Sequence, residues 1–170
     1  MKERAISSAY TNPEQAAARS KAAAFLQPRD AWMSDAVSEY VACLLLEAEA
    51  GRDKFLATVN RDWVSALQQT VPGGLNITSD AALFDADAYE IVVLRRGAVV
   101  LHELRLAMGR QAFIDGLARF YRKGLGGNVL GEMDLVAALD EASGGSWEAF
   151  LTDWLFNVGD YVNQDMDWYE

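Results

Sequence analysis

The chain has 170 residues, of which 51% are apolar and 24% are charged, a balance typical of a globular protein with one hydrophobic core. Its formal net charge is −10, and we find no basic stripe strong enough to overcome it. Because phosphate backbones and anionic lipids repel such a surface, neither a nucleic acid nor a membrane is expected as a partner.

The chain has one cysteine, Cys43, which lies in an apolar run and can form no internal disulfide. We expect it to be a small buried side chain. Residues 1–10 contain no apolar stretch of signal-peptide length, and no run reaches transmembrane length. As written, the sequence predicts a cytoplasmic protein, an expectation that lapses if the chain was cut from a longer precursor.

Capping residues and apolar periodicity predict an all-α fold, with six or seven helices in one domain. The first helix begins at Asn12 and Pro13, which suit an N-cap and a first turn, and glycines end several of the others. The predicted helices span residues 12–27, 30–50, 53–70, 88–108, 111–123, 132–143 and 146–157. We therefore divide the chain into an N-terminal arm (1–11), a helical domain (12–157) and an acidic, aromatic tail (158–170).

Apolar side chains at three-and-four spacing predict which helix faces are buried. In the second helix the predicted apolar face comprises Trp32, Met33, Ala36, Val37, Tyr40, Val41, Leu44 and Leu45. The aromatic residues predicted to form the core are Trp32, Trp63, Phe113, Phe120, Trp147, Phe150 and Trp154. A peptide-binding groove lined by these aromatic residues is the less favoured interpretation.

Three stretches resemble the aminopeptidase N family of zinc peptidases (gluzincins). Residues 30–40, D-A-W-M-S-D-A-V-S-E-Y, are similar to the family's W-L-x-E-G-F-A-x-Y helix. Residues 96–105, R-G-A-V-V-L-H-E-L-R, are similar to its Y-x-K-G-A-x-x-L-x-x-L-R segment. The third is an ordered series of matches: Met108-Gly109, Ala112-Phe113, Leu117, Phe120-Tyr121, Asp134-Leu135, Ala138, residues 141–144, Phe150 and Trp154-Leu155. The resemblance implies the C-terminal helical part of a zincin catalytic domain.

The departures from the family pattern fall on its zinc ligands. Such peptidases hold zinc with the two histidines of HExxH, whose glutamate activates the metal-bound water. Counting back by the family's spacing places that motif at residues 12–16, which read Asn-Pro-Glu-Gln-Ala and contain no histidine. Asp35 occupies the position of the third ligand, one methylene shorter than the family's glutamate. We therefore expect no zinc and no other cofactor.

The position of the family's oxyanion-stabilising tyrosine is occupied by Leu94, which cannot donate a hydrogen bond. Tyr89 lies five residues earlier, over one α-helical turn away, and is not expected to replace it. Gly97 and Ala98 retain the family's Gly-Ala pair, which fits close helix packing. The residues of the remnant cleft are Trp32, Asp35, Glu39, Tyr89 and Gly97.

Other chemistries are also poorly supported by the residues present. His102, the only histidine, begins an HExxH-like run that ends in Leu106, so a packing or surface role is expected. Residues 123–128 are glycine-rich but follow a helix and lack the context of a phosphate-binding loop. Asp85 and Asp87, together with Glu90, could bind a hard cation weakly, but a role as helix-start charges is the favoured interpretation.

These observations favour a non-catalytic relic of an aminopeptidase-like domain, acting as a scaffold or as a protein or peptide interaction module. The alternative is one half of a split zinc aminopeptidase whose HExxH helix is supplied by another chain. In that case the matching helices should expose an unpaired apolar face. A third interpretation is peptide binding in the remnant cleft. From these hypotheses we expect the partner to be a protein, a peptide or a second copy of the chain.

Overall fold

The computed structural model describes residues 30, 32–64, 66, 76–78, 85–125 and 128–156. Within these ranges the chain forms six continuous helices and no strand. The helices are α1 (Trp32–Ala50), α2 (Arg52–Thr58, continuing as the π-helical turn Val59–Val64), α3 (Ala86–Ala88, π-helical Tyr89–Arg96 and Gly97–Met108), α4 (Arg110–Leu125), α5 (Glu132–Ser143) and α6 (Glu148–Phe156). The predicted all-α, single-domain fold is confirmed.

Three parts of the predicted organisation lie outside the described residues: the N-terminal arm, the helix predicted over 12–27 and the tail 158–170. Most other boundaries agree with the prediction to within two residues. The helix α2 is described continuously only to Val64, short of the predicted residue 70, and α3 begins at Ala86, two residues before its predicted start at Ala88. The Asp85 carboxylate accepts a hydrogen bond from the Ala88 amide at 2.9 Å and caps α3, as its helix-start role predicted.

Two of the helix junctions depend on glycine. Gly51 separates α1 from α2 with φ of 89°, and Gly109 separates α3 from α4 with φ of 86°. L-residues with a side chain rarely adopt these backbone angles, whereas glycine does so at little cost. The amide of Gly109 also donates to the carbonyl of Arg105 at 3.0 Å, which closes the last turn of α3.

Helix α1 lies at the centre of the core, but its buried face is narrower than predicted. Trp32, Met33 and Tyr40 are buried, and Cys43 is buried as expected. Val41 and Leu45 are 39% and 59% exposed, so their assignment to the buried face was wrong. In this helix burial follows one stripe, and these two side chains lie beyond its edge.

The aromatic residues predicted to form the core are mostly buried. Trp32, Trp63, Phe113, Phe120 and Trp154 have 8% exposure or less. Trp147 and Phe150 instead pack against the core from its edge and are only partly buried. Trp147 precedes the first turn of α6, where its indole Nε1 donates to Ser143 Oγ at 2.7 Å.

The helices α4 and α5 form an antiparallel pair. A methyl group built on Gly116 would lie 2.9 Å from Leu139 Cδ2, so the absence of a side chain at Gly116 allows the two backbones to approach. Across the described part of the chain, no helix is long and apolar enough to cross a membrane.

Candidate functional site

The residues predicted to line a remnant cleft lie where α1 and α3 cross. A Cβ atom on Gly97 would lie 2.5 Å from the Cβ of Ala36, so glycine is required for this approach. The crossing places the π-helical stretch Tyr89–Arg96 beside Asp35 and Glu39. Contacts advance in the same direction along both helices, and α1 and α3 therefore run parallel.

Asp35, the residue at the position of the family's third zinc ligand, is held by a tyrosine. The Tyr89 hydroxyl donates a hydrogen bond to the Asp35 carboxylate, across 54 residues of sequence. A second tyrosine, Tyr121, donates its hydroxyl to the carbonyl of Met33. Burial raises the pKa of Tyr121, and the charge of Asp35 raises it further. Tyr121 therefore remains a neutral hydrogen-bond donor on this side of α1.

One turn further along α1, Glu39 forms an ion pair with Arg95. The two side chains are only 21% and 24% exposed, and the Arg95 guanidinium also lies 3.4 Å from Glu90. Asp35, Glu39, Tyr89 and Arg95 are called the cleft cluster below. Each carboxylate on α1 in this cluster has a partner on α3.

The other residues assigned to the site lie inside the protein. Trp32 is 1% exposed and belongs to the core. Leu94, at the position of the oxyanion tyrosine, is 5% exposed. The structure therefore brings Asp35, Glu39, Tyr89 and Gly97 together, while Trp32 packs behind them.

Sequence reasoning did not foresee the contact between Tyr89 and Asp35. It assumed an α-helical repeat, in which a residue five positions from Leu94 points in a different direction. The stretch Tyr89–Arg96 is π-helical, and its hydrogen bonds join residues five apart rather than four. The wider turn brings Tyr89 towards the face of Leu94 and against α1. Arg95 and Tyr121 were also missed, because no motif marks them.

His102 lies in a second polar cluster, deeper between the same two helices. Its Nδ1 is 3.1 Å from the Tyr40 hydroxyl. That hydroxyl accepts from Arg105 at 3.4 Å, and Arg105 donates to Glu47 at 3.0 Å. Tyr40, His102, Arg105 and Glu47 are called the interior cluster below.

Burial dominates the electrostatics of the interior cluster. It lowers the pKa of His102 to about 4, with a smaller contribution from the charges of Arg105 and Arg52. It also raises the pKa of Tyr40 to about 12. Aromatic rings surround the imidazole, with the Phe55 centroid 5.3 Å away and that of Trp63 6.1 Å away. His102 is therefore a neutral core residue, as its expected packing role requires.

The described residues do not fit a zinc ion. Among them, no group of three or more His, Cys, Asp or Glu side chains could hold a metal. The Asp35 carboxylate accepts from Tyr89, and the only imidazole lies in the interior cluster. A zinc peptidase site requires three protein ligands around one open position. The expectation that the chain binds no cofactor stays a prediction.

A cavity of about 400 Å³ opens beside the cleft cluster. Both π-helical turns contribute to its wall, and Arg95 belongs to both the cavity and the cleft. Its lining residues are Arg61, Asp62, Ala66, Asp87, Glu90, Ile91 and Arg95. Arg61 donates twice to Asp62 at 2.7 Å. The wall of the cavity therefore contains both positive and negative side chains, most of which form ion pairs with one another.

Comparison with known proteins gives a partial similarity to an aminopeptidase. The chain is 36% identical over 77 residues to aminopeptidase N of Lactococcus lactis subsp. lactis, which corresponds to 45% of this chain and 8% of that protein. No protein-family model matches the chain. No solved structure matches it either.

Together these findings define an all-helical protein with two polar clusters between α1 and α3. Its relationship to known proteins is distant and aminopeptidase N-like, and it covers less than half of the chain.

Proposed function

We propose that this chain is a non-catalytic helical domain, derived from a zinc aminopeptidase, that serves as a scaffold or as a protein or peptide interaction module. The observation that carries the proposal is the cleft cluster. Asp35 accepts from Tyr89 and Glu39 pairs with Arg95. The carboxylates that would face a metal are thus engaged within the protein.

Two further features support the absence of peptidase chemistry. A metal at Asp35 would need two imidazoles, and the chain has one histidine in total. Leu94 offers no hydrogen bond to an oxyanion, and the loss of one such donor costs ~3 kcal/mol in the transition state. The partial similarity to aminopeptidase N is consistent with descent from a peptidase. Whether the chain can catalyse peptide hydrolysis depends on which catalytic residues it has kept.

The proposal is tested by metal analysis and peptidase assays on the full chain. After dialysis against zinc and then buffer, we expect no stoichiometric zinc. Aminoacyl-arylamide substrates should show no hydrolysis above a blank. Asp35→Glu, which restores the family's residue, should change neither result because the imidazoles are still missing. One tightly held zinc per chain together with hydrolysis would overturn the proposal.

The interaction role has its own measurement. Titration with a trialanine peptide should shift the amide resonances of Asp35, Glu39, Tyr89 and Gly97 if the cleft binds peptides. The variant Tyr89→Phe should weaken those shifts. If saturating peptide produced no shifts at these positions, peptide binding in the cleft would be excluded. The scaffold role would then be the remaining form of the proposal.

One observation favours the split-peptidase alternative. Val41 and Leu45 are exposed on α1, the helix that also carries Asp35. An exposed apolar pair on this helix is what a missing partner segment would cover. If an adjacent upstream reading frame encodes a helix with HExxH, mixing that polypeptide with this chain should produce peptidase activity. Val41→Lys/Leu45→Lys should abolish the gain, and mixing without activity would contradict the alternative.

A further inference from the structure

The outer face of the α4–α5 pair combines basic and apolar side chains. A groove of about 300 Å³ runs between the two helices. Its lining residues are Arg119, Phe120, Arg122, Lys123, Ala137, Ala138 and Glu141. We call these residues the basic groove. It lies away from the cleft and interior clusters, which are built by α1 and α3.

The basic groove belongs to the most cationic helix that the structure describes. Helix α4 carries four basic side chains against one carboxylate, in a chain of net charge −10. Two of these cations have acidic neighbours on α5, since Lys123 pairs with Asp134 and Arg119 lies 3.6 Å from Glu141. Arg122 makes its hydrogen bond to the carbonyl of Ala118, at 2.9 Å. No described carboxylate forms an ion pair with Arg122, so this end of α4 attracts negative charge.

Exposed apolar side chains continue the groove at its end. Leu125 is 86% exposed, Val129 is 50% exposed and Met133 is 59% exposed. Leu125 follows Arg122 by three positions on α4, and Met133 precedes Ala137 by four positions on α5. Side chains at these spacings share a helix face. A ligand of this surface would therefore combine negative charges with large apolar groups.

The chain contains a segment of that composition. Residues 158–170 include four carboxylates and no cation, together with four large apolar side chains. The carboxylates are Asp160, Asp165, Asp167 and Glu170, and the apolar residues are Tyr161, Met166, Trp168 and Tyr169. The segment follows α6, which packs against α5 and α3. Extended, it reaches about 40 Å, which is enough to span this face of the domain.

We propose that the basic groove and its apolar end form an interaction surface for an acidic, aromatic segment, and that residues 158–170 of the same chain occupy it. The carboxylates lie against Arg119, Arg122 and Lys123. The aromatic and methionine side chains cover the apolar end. The remaining described helices are acidic or nearly neutral, and they provide no comparable attraction.

The proposal is tested by placing a spin label in the segment of the full chain. Asn163→Cys carries the label in a Cys43→Ala background, which removes the only native thiol. We expect paramagnetic broadening of the amides of Arg119, Arg122, Ala137 and Glu141. The broadening should decrease as the salt concentration rises, because exposed charges are screened.

Charge reversal provides the matched comparison. Arg119→Glu/Arg122→Glu should abolish the broadening, whereas Arg52→Glu/Arg61→Glu, the same change on α2, should leave it intact. Reversal within the segment, Asp165→Lys/Asp167→Lys, should restore broadening in the Arg119→Glu/Arg122→Glu chain. This rescue also shows that the variants are folded.

Three results would overturn the proposal. The first is the absence of broadening on α4 and α5. The second is broadening that persists unchanged in Arg119→Glu/Arg122→Glu. The third is broadening of an unlabelled isotope-enriched chain mixed with a labelled one, which would assign the surface to a second copy.

Discussion

The interior cluster and the cleft cluster join the same two parallel helices, yet they differ in burial and in chemistry. In the interior cluster Arg105 and Glu47 are 10% and 13% exposed and share a network with a buried tyrosine and histidine. In the cleft cluster the ion pair is about twice as exposed. Polar groups in a dry interior cost most when they lose a partner. The comparison indicates that the loss of a partner destabilises the fold more in the interior cluster than in the cleft cluster.

The largest effect is expected at the interior ion pair. Arg105→Ala leaves the nearly buried Glu47 carboxylate with only the longer contact to Arg52, at 4.0 Å, and removes the hydrogen bond to Tyr40. It should reduce the free energy of unfolding by roughly 3–5 kcal/mol. Urea denaturation at neutral pH measures this change. Arg105→Met/Glu47→Met removes both charges and should cost clearly less. If the single and double variants lost the same free energy of unfolding, the pairing of Arg105 with Glu47 would be contradicted.

The histidine of the interior cluster predicts a pH dependence. The folded-state pKa of about 4 lies below the ordinary value of 6.5, so the unfolded chain binds the proton more readily. The stabilisation is complete above pH 6.5 and is lost as the pH falls towards 4, by on the order of 3 kcal/mol. Denaturation midpoints at pH 7.5, 5.5 and 4.5 measure it. His102→Gln should flatten this part of the profile, and an unchanged slope would exclude His102 as the cause.

The crossing that positions both clusters depends on Gly97. Gly97→Ala introduces a methyl group 2.5 Å from the Cβ of Ala36 and should cost roughly 1–3 kcal/mol by overpacking. Thermal and urea unfolding measure the loss. Ala36→Gly in the same chain removes the opposing methyl group and should recover part of it. A double variant no more stable than Gly97→Ala would argue against this contact.

The smallest effect is expected in the cleft cluster. Tyr89→Phe removes one hydrogen bond to the half-buried Asp35 and should cost about 0.5–1.5 kcal/mol. A double-mutant cycle with Asp35→Asn measures the coupling. If the stability losses of the two single variants simply added in the double variant, the hydrogen bond between Tyr89 and Asp35 would contribute nothing to stability. If the cleft variant proved more destabilising than Arg105→Ala, the distinction between the two clusters would fail.

Much of the candidate site could be identified from sequence, but its internal contacts could not. The resemblance singled out Asp35, Glu39, Tyr89 and Gly97, and the structure brings these residues together. The partners on α3 were not foreseen, because Tyr89 reaches Asp35 through a π-helical turn. Apolar periodicity does not reveal a locally wider helix. The exposure of Val41 and Leu45 was likewise missed.

The sequence by itself determined the positions of the helices, their glycine junctions and the shortage of imidazoles. These features depend on local backbone preferences and on composition, which act within a few residues. Only the tertiary structure decided that α1 and α3 run parallel and that each carboxylate of the cleft meets a partner from α3. These two pairings join residues 54 and 56 positions apart. They depend on how closely two helices approach, and at Gly97 that distance is set by packing.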